Sequence, residues 1–122
     1  MTATQAIPEA TAERFVMTLT ALVETVQATI AGSDSAQAAL WRRKVLPPLE
    51  GRLASAKTAV AHFAIGDEQP LLDAALPLRF LARDLDGYSM DFAGADAARQ
   101  YEERRRLVVY AAWQVGQAAG AV

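Results

Sequence analysis

Cysteine is absent from the 122 residues, and histidine occurs only once. The first absence excludes disulfides, thiol catalysis and thiolate metal sites. The second leaves too few ligands for the haem and metal centres that helical proteins build from paired side chains. His62 has no second histidine four residues away, and Ala59 stands where a Glu-x-x-His pair would need its carboxylate. It reads as a structural histidine near a helix boundary. No glycine-rich phosphate loop and no Gly-x-Ser-x-Gly elbow is present, and no base lies at a recognisable spacing from a serine or threonine. No enzyme chemistry and no cofactor is expected. An excess of positive charge is also missing: 12 Lys and Arg face 14 Asp and Glu, a net charge of −2. That balance argues against general nucleic-acid binding, which draws its affinity from surplus cations. No uncharged apolar run approaches the roughly 18 residues needed to cross a bilayer. Met1 to Ala12 has no basic segment ahead of an apolar one, so it does not read as a secretory signal. The cytoplasm is the expected location.

What the chain does contain is alanine and helical periodicity. Hydrophobic residues make up 52% and charged residues 21%, the balance of a folded domain rather than a disordered one. Alanine dominates the apolar share, and it is both the best helix former and small enough to let helices approach closely. Leu46, Leu49, Leu53, Ala56, Val60 and Phe63 alternate gaps of three and four, the spacing of one buried helical stripe. Phe15, Leu19, Leu22 and Val26 repeat the pattern, and Leu71, Ala75, Leu78, Ala82 and Leu85 do so again. The strict alternation that would mark strands is missing.

These stripes predict an all-α protein, an antiparallel up-down four-helix bundle. Residues 1–8 are expected to fray, and 9–122 to form a single helical domain. The first helix runs from Pro8 or Glu9 to Ala31, with Ala12, Phe15, Val16, Leu19, Leu22, Val23, Val26 and Ile30 inward. Thr11, Thr18 and Thr25 fall at seven-residue steps on another face, to meet solvent or a neighbour. Gly32 to Ser35 stops the helix and restarts the next, with Ser33 or Asp34 as N-cap. The second helix spans Ser35 to Ile65 and is kinked or split at Pro47-Pro48, where two amide donors are lost. Asp67 caps a third helix from Glu68 to Asp84 or Asp86, bent at Pro77. After a loop from Gly87 to Gly94, the fourth helix runs from Ala95 to Ala119. Its buried line is Ala97, Tyr101, Val108, Ala112 and Val115, flanked by Leu107 and Val109.

Few residues stand out as candidates for function. Trp41 beside Arg42, Arg43 and Lys44 combines an indole with a basic triplet, a pattern able to grip a phosphate, an acidic partner or a stacked base. The same residues also fit a solvated helix face with Trp41 half-buried. Tyr110 and Trp113 lie three apart on the last helix, where they either fill the core or anchor a second subunit. In that helix Arg99 is placed to pair with Glu102 or Glu103, and Glu102 with Arg106. The run from Asp84 to Asp91 has the look of a calcium loop, but with Gly87 at the sixth position Ala82 and Ala93 replace the anchoring carboxylates. It reads as an ordinary turn.

Function is expected to lie in binding. Leu71, Leu72, Leu76, Leu78, Phe80 and Leu81 crowd the third helix with more apolar surface than one core of this size needs. Such a surplus marks a contact surface. The leading expectation is a small protein-interaction bundle, a homodimer, with Trp41, Arg42, Arg43, Tyr110 and Trp113 as partner-contact residues. One alternative is a bundle that holds an apolar or haem-like molecule among Phe63, Phe80, Met17 and Trp113. A weaker one is nucleic-acid contact through Trp41 to Lys44.

Overall fold

The computed structural model describes residues 5–122. It is an all-α antiparallel four-helix bundle. The first rod is α1 (Glu9–Ala31). Pro8 precedes it at φ −63°, the angle its ring already imposes, and its carbonyl accepts from the Thr11 and Ala12 amides. Ala12, Phe15, Leu19, Leu22, Val23, Val26 and Ile30 are buried, and Val16 packs at their margin. The threonines do not reach a neighbouring helix. Thr18, Thr20, Thr25 and Thr29 each donate the hydroxyl to a carbonyl three or four residues back in α1 itself.

Ser35, rather than Ser33 or Asp34, caps the next helix, its hydroxyl accepting from the Ala38 amide at 3.1 Å. The second rod is α2 (Ala36–Leu40), a π-helical turn over Trp41–Val45, and α3 (Leu46–Ala64), joined without a break. The wide turn explains how the chain passes Pro47-Pro48. In a regular helix those rings would collide with the carbonyls of Arg43 and Lys44 and leave them without donors. Opening the preceding turn, so that the Leu46 amide reaches the Trp41 carbonyl five residues back, relieves the crowding.

Gly66, at φ +94°, reverses the chain in a conformation that favours glycine. The third rod is α4 (Gln69–Ala75), a 3-10 bend over Leu76–Phe80 containing Pro77, and α5 (Leu81–Asp84). Its cap is Glu68, one residue later than expected, while the Asp67 carboxylate accepts from the Gln69 amide. A short 3-10 turn, Asp91–Ala93, interrupts the following loop before α6 (Ala95–Ala118) completes the bundle. Each rod packs on the next, and α6 closes the ring against α1.

The interior is one cluster of buried apolar side chains, and among the described residues no charged side chain is buried. The stripes supply most of it, with several differences. Leu46, Leu53 and Val60 are half-buried at its margin, Ala97 is half-buried and Ala82 is exposed, while Ala59 joins Leu49, Ala56 and Phe63, and Ala111 and Gly116 join the α6 line. Gly116 has a local reason. A Cβ there would lie 3.1 Å from Val122 and 3.2 Å from Leu76, so the missing side chain lets both pack on α6.

The expected fray at residues 1–8 is corrected from Gln5 onward; Met1 to Thr4 lie outside the described residues. The Glu68 carboxylate accepts from the Ala6 and Ile7 amides at 3.1 and 2.6 Å. Gln5 Nε2 donates to the Phe63 carbonyl at 2.6 Å, and Ile7 is 1% exposed. A carboxylate shared by two successive amides and a fully buried isoleucine together offset the entropy of ordering this strap.

Candidate functional site

The sequence offered two aromatic groups, and the fold sends them to opposite environments. Trp41 is 1% exposed. Its indole lies edge-on to Tyr88 at 6.3 Å and to Tyr101 at 5.0 Å, and its Nε1 donates to the Ser89 carbonyl at 3.0 Å. It therefore fastens the loop before α6 onto the π-helical turn. A fully buried ring has no face for a nucleotide base, which corrects the expectation that Trp41 joins a stacking surface. Arg42 is also committed. Its guanidinium donates to the Ile30 carbonyl and, at 2.7 Å, to the Ser33 carbonyl, so it caps the C-terminus of α1. Arg43 and Lys44 are exposed. The triplet thus divides, with one arginine holding two helices together and two cations facing water.

Tyr110 and Trp113 are 60% and 38% exposed, which settles the choice between core and surface in favour of surface. Trp113 does not stand alone. The Arg79 guanidinium, oriented by its Nε bond to the Leu76 carbonyl, lies 5.0 Å from the Trp113 ring and 4.9 Å from Phe80. Arg83 covers Phe80 at 4.8 Å. Arg79 and Phe80 lie in the 3-10 bend, off the inward line of Leu71, Ala75 and Leu78. Such cation–π layers hold the rings in place while leaving an outer face available.

Met17 at 70% and Leu107 at 47% extend the exposed surface across the seam between α1 and α6. Leu107 was expected beside the buried line and Met17 among the side chains lining an interior ligand; the fold puts both at the surface. Sequence reasoning missed Arg79 and Arg83, and no spacing rule signals a stacked guanidinium. The expected apolar surplus on the third helix largely disappears: Leu71, Leu78 and Leu81 are buried and Leu72 and Leu76 are half-buried, leaving Phe80 as the exposed member.

The side chains proposed to hold an apolar or haem-like ligand do not converge on one interior site. Phe63 lines a shallow groove of about 240 Å³ with Val60, Gln5 and Glu9, while Met17, Phe80 and Trp113 lie on the outside. A larger open groove of about 580 Å³ runs between α3 and α4, past Arg52, His62 and Asp73. His62 Nδ1 lies 3.8 Å from the Asp67 carboxylate, both half-exposed. Among the described residues no three His, Cys, Asp or Glu side chains are grouped to hold a metal ion. In the Asp84–Asp91 run, Asp84 lies 3.8 Å from Arg83 and Leu85 is buried, consistent with an ordinary turn.

Tyr101 has a perturbed proton affinity. Burial raises its pKa above the usual 10.0, partly opposed by the Arg105 guanidinium, which lies 5.3 Å from the ring. Its hydroxyl has no hydrogen-bond partner among the described residues. It borders a polar depression of about 210 Å³ with Asp86, Asp91, Glu102 and Arg105. On α6 Arg99 pairs with Asp96 at 3.4 Å, in place of the expected Glu102 or Glu103, and Arg106 forms no ion pair among the described residues.

Among the described residues, no helix is long and apolar enough to cross a membrane. No protein-family model matches the chain, and no curated protein and no solved structure shows significant similarity to it.

Proposed function

We propose that this chain is a non-catalytic interaction module that works by self-association, as a homodimer, through the outer face of α6 and the surfaces beside it. One observation carries the reading. Of the seven large apolar side chains left exposed among the described residues, five, Met17, Phe80, Leu107, Tyr110 and Trp113, belong to α6 or to the elements flanking it, while Ile65 caps α3 and Val122 follows α6. Scattered exposed apolar residues are ordinary, whereas a group on one face marks a contact surface. The residue types favour the same reading, since Trp, Tyr and Arg dominate the energetics of protein interfaces. A cytoplasmic location belongs to this proposal and rests on the sequence.

Sedimentation velocity over a range of concentrations tests it. The chain is expected to sediment as a dimer that dissociates on dilution. Tyr110→Glu, a change at an exposed position, is expected to give a folded monomer with unchanged circular dichroism. A chain that stays monomeric at every concentration contradicts the proposal.

A further inference from the structure

We propose a specific pairing for the dimer, which rests on the self-association just described: α1 of each copy lies along the outer face of α6 of the other, antiparallel, about a two-fold axis parallel to both helices. The outer surfaces of the two helices have the pattern that helix pairing needs. Along α1 the outward line is Ala10, Arg14, Met17, Ala21, Glu24 and Ala28, with gaps of four and three throughout. All are exposed except Ala21, which is half-buried. Along α6 the outward line is Arg99, Glu103, Arg106, Tyr110, Trp113 and Gln117, with the same alternation and every member exposed. Thus α1 presents three alanines interspersed with the longer Arg14, Met17 and Glu24, and α6 presents large side chains throughout. Small residues on one helix make room for large ones on the other, the requirement for interlocking surfaces.

The register follows from the chain's own packing. Arg14 Nη1 donates to Gln114 Oε1 at 3.4 Å near one end of the pair. Ala28 and Gln100 border one groove near the other end. Each step up α1 is therefore one step down α6, which puts Met17 level with Ala111 and Glu24 level with Arg104. A two-fold axis parallel to the helices keeps every residue at its level and exchanges the helices that face each other. Met17 then meets Tyr110 of the second copy, Arg14 comes beside its Trp113, and Glu24 comes within reach of its Arg106. Each contact occurs twice, as an isologous interface requires.

Charge selects this arrangement over α1 on α1. On the outward line of α1 the charged residues are Arg14 and Glu24, and on that of α6 they are Arg99, Glu103 and Arg106. Pairing α1 with itself about such an axis opposes Glu24 to Glu24 and Arg14 to Arg14, whereas pairing α1 with α6 brings Glu24 to Arg106.

The absence of cysteine makes the test clean. Chains carrying Met17→Cys and chains carrying Tyr110→Cys are mixed, allowed to exchange, and oxidised with copper-phenanthroline. A covalent dimer is expected in the mixture and in neither variant alone. Glu24→Arg is expected to weaken the dimer about fivefold to tenfold, and adding Arg106→Glu to restore it, by the usual scale of a charge pair at an interface rim. Cross-linking by the Met17→Cys chain alone overturns the pairing in favour of α1 on α1. A dimer by sedimentation that forms no cross-link in the mixture overturns the pairing and leaves self-association standing. A monomer by sedimentation overturns both.

Discussion

Trp41 and Trp113, the two tryptophans of the chain, both lie within helical rods and end in opposite surroundings. Trp41, beside a basic triplet in sequence, is 1% exposed, and Trp113, following two alanines, is 38% exposed. The difference lies in what the chain brings over each ring. Trp41 is enclosed by a loop and by Tyr88 and Tyr101, all distant in sequence, and its Nε1 finds the Ser89 carbonyl. Over Trp113 the Pro77 bend lays the Arg79 guanidinium, and the ring stays partly open. A buried indole needs a hydrogen-bond acceptor and neighbours on all sides; a stacked one needs neither. Trp41 therefore belongs to stability and Trp113 to contact.

The largest expected effect breaks the buried side of this comparison. Trp41→Ala should cost about 3–5 kcal/mol, the range for emptying a core aromatic site. Thermal unfolding should fall by many degrees, and the loop before α6 should lose protection from hydrogen exchange. The exposed side should respond in the opposite way. Trp113→Ala should weaken the dimer by about 1–3 kcal/mol, the scale of an interface anchor. Its effect on the unfolding of the monomer should be smaller than that of Trp41→Ala, because Trp113 is 38% exposed where Trp41 is 1% exposed. Parallel sedimentation and thermal melts separate these outcomes, and equal effects on both would erase the distinction.

A smaller effect concerns the N-terminal strap. Glu68→Ala removes the acceptor for two amides and should cost about 1–2 kcal/mol, a charge-assisted pair reduced by partial exposure. Proteolysis before Glu9 should speed up accordingly. Tyr101→Phe should have the least effect at neutral pH, leaving stability equal or slightly higher, because the hydroxyl it removes is buried without a partner. The alkaline limb should reveal it. The folded-state pKa of Tyr101 is raised above 10.0, so the folded protein holds a proton that the unfolded chain releases. That contribution is complete below pH 10 and is lost as pH rises from there through the folded-state value. The stability measured by equilibrium unfolding should therefore decline less steeply between about pH 9 and 11 in Tyr101→Phe than in the parent.

Much of the fold was legible because helical stripes report burial directly. Phe15 to Ile30 and Leu71 to Leu78 entered the core as their spacing implied, and Gly32, Gly66 and Pro77 marked two breaks and a bend. The π-helical turn was not legible. It resolves a clash between proline rings and the carbonyls four residues earlier, and the sequence shows the clash without showing which of several remedies the chain adopts. Ile7 and Glu68 were missed because the bond between them is non-local, joining residues about sixty apart. At the candidate site, Tyr110 and Trp113 were identified by residue type, but which side of α6 stays open depends on where the other three rods lie. Arg42 looked like a binding cation because its neighbours were cations; its actual role depends on the helix end it meets.

Acrylamide quenching of tryptophan fluorescence, followed as the chain is diluted, tests the central claim most directly. Trp41 is enclosed in every state and serves as an internal background, so the quenchable emission reports Trp113. If α6 is the contact face, quenching should be weak in concentrated solution and should rise on dilution along the dissociation curve measured by sedimentation. Quenching that stays strong and independent of concentration would mean that the Trp113 face is never covered by a second copy, and would contradict the account.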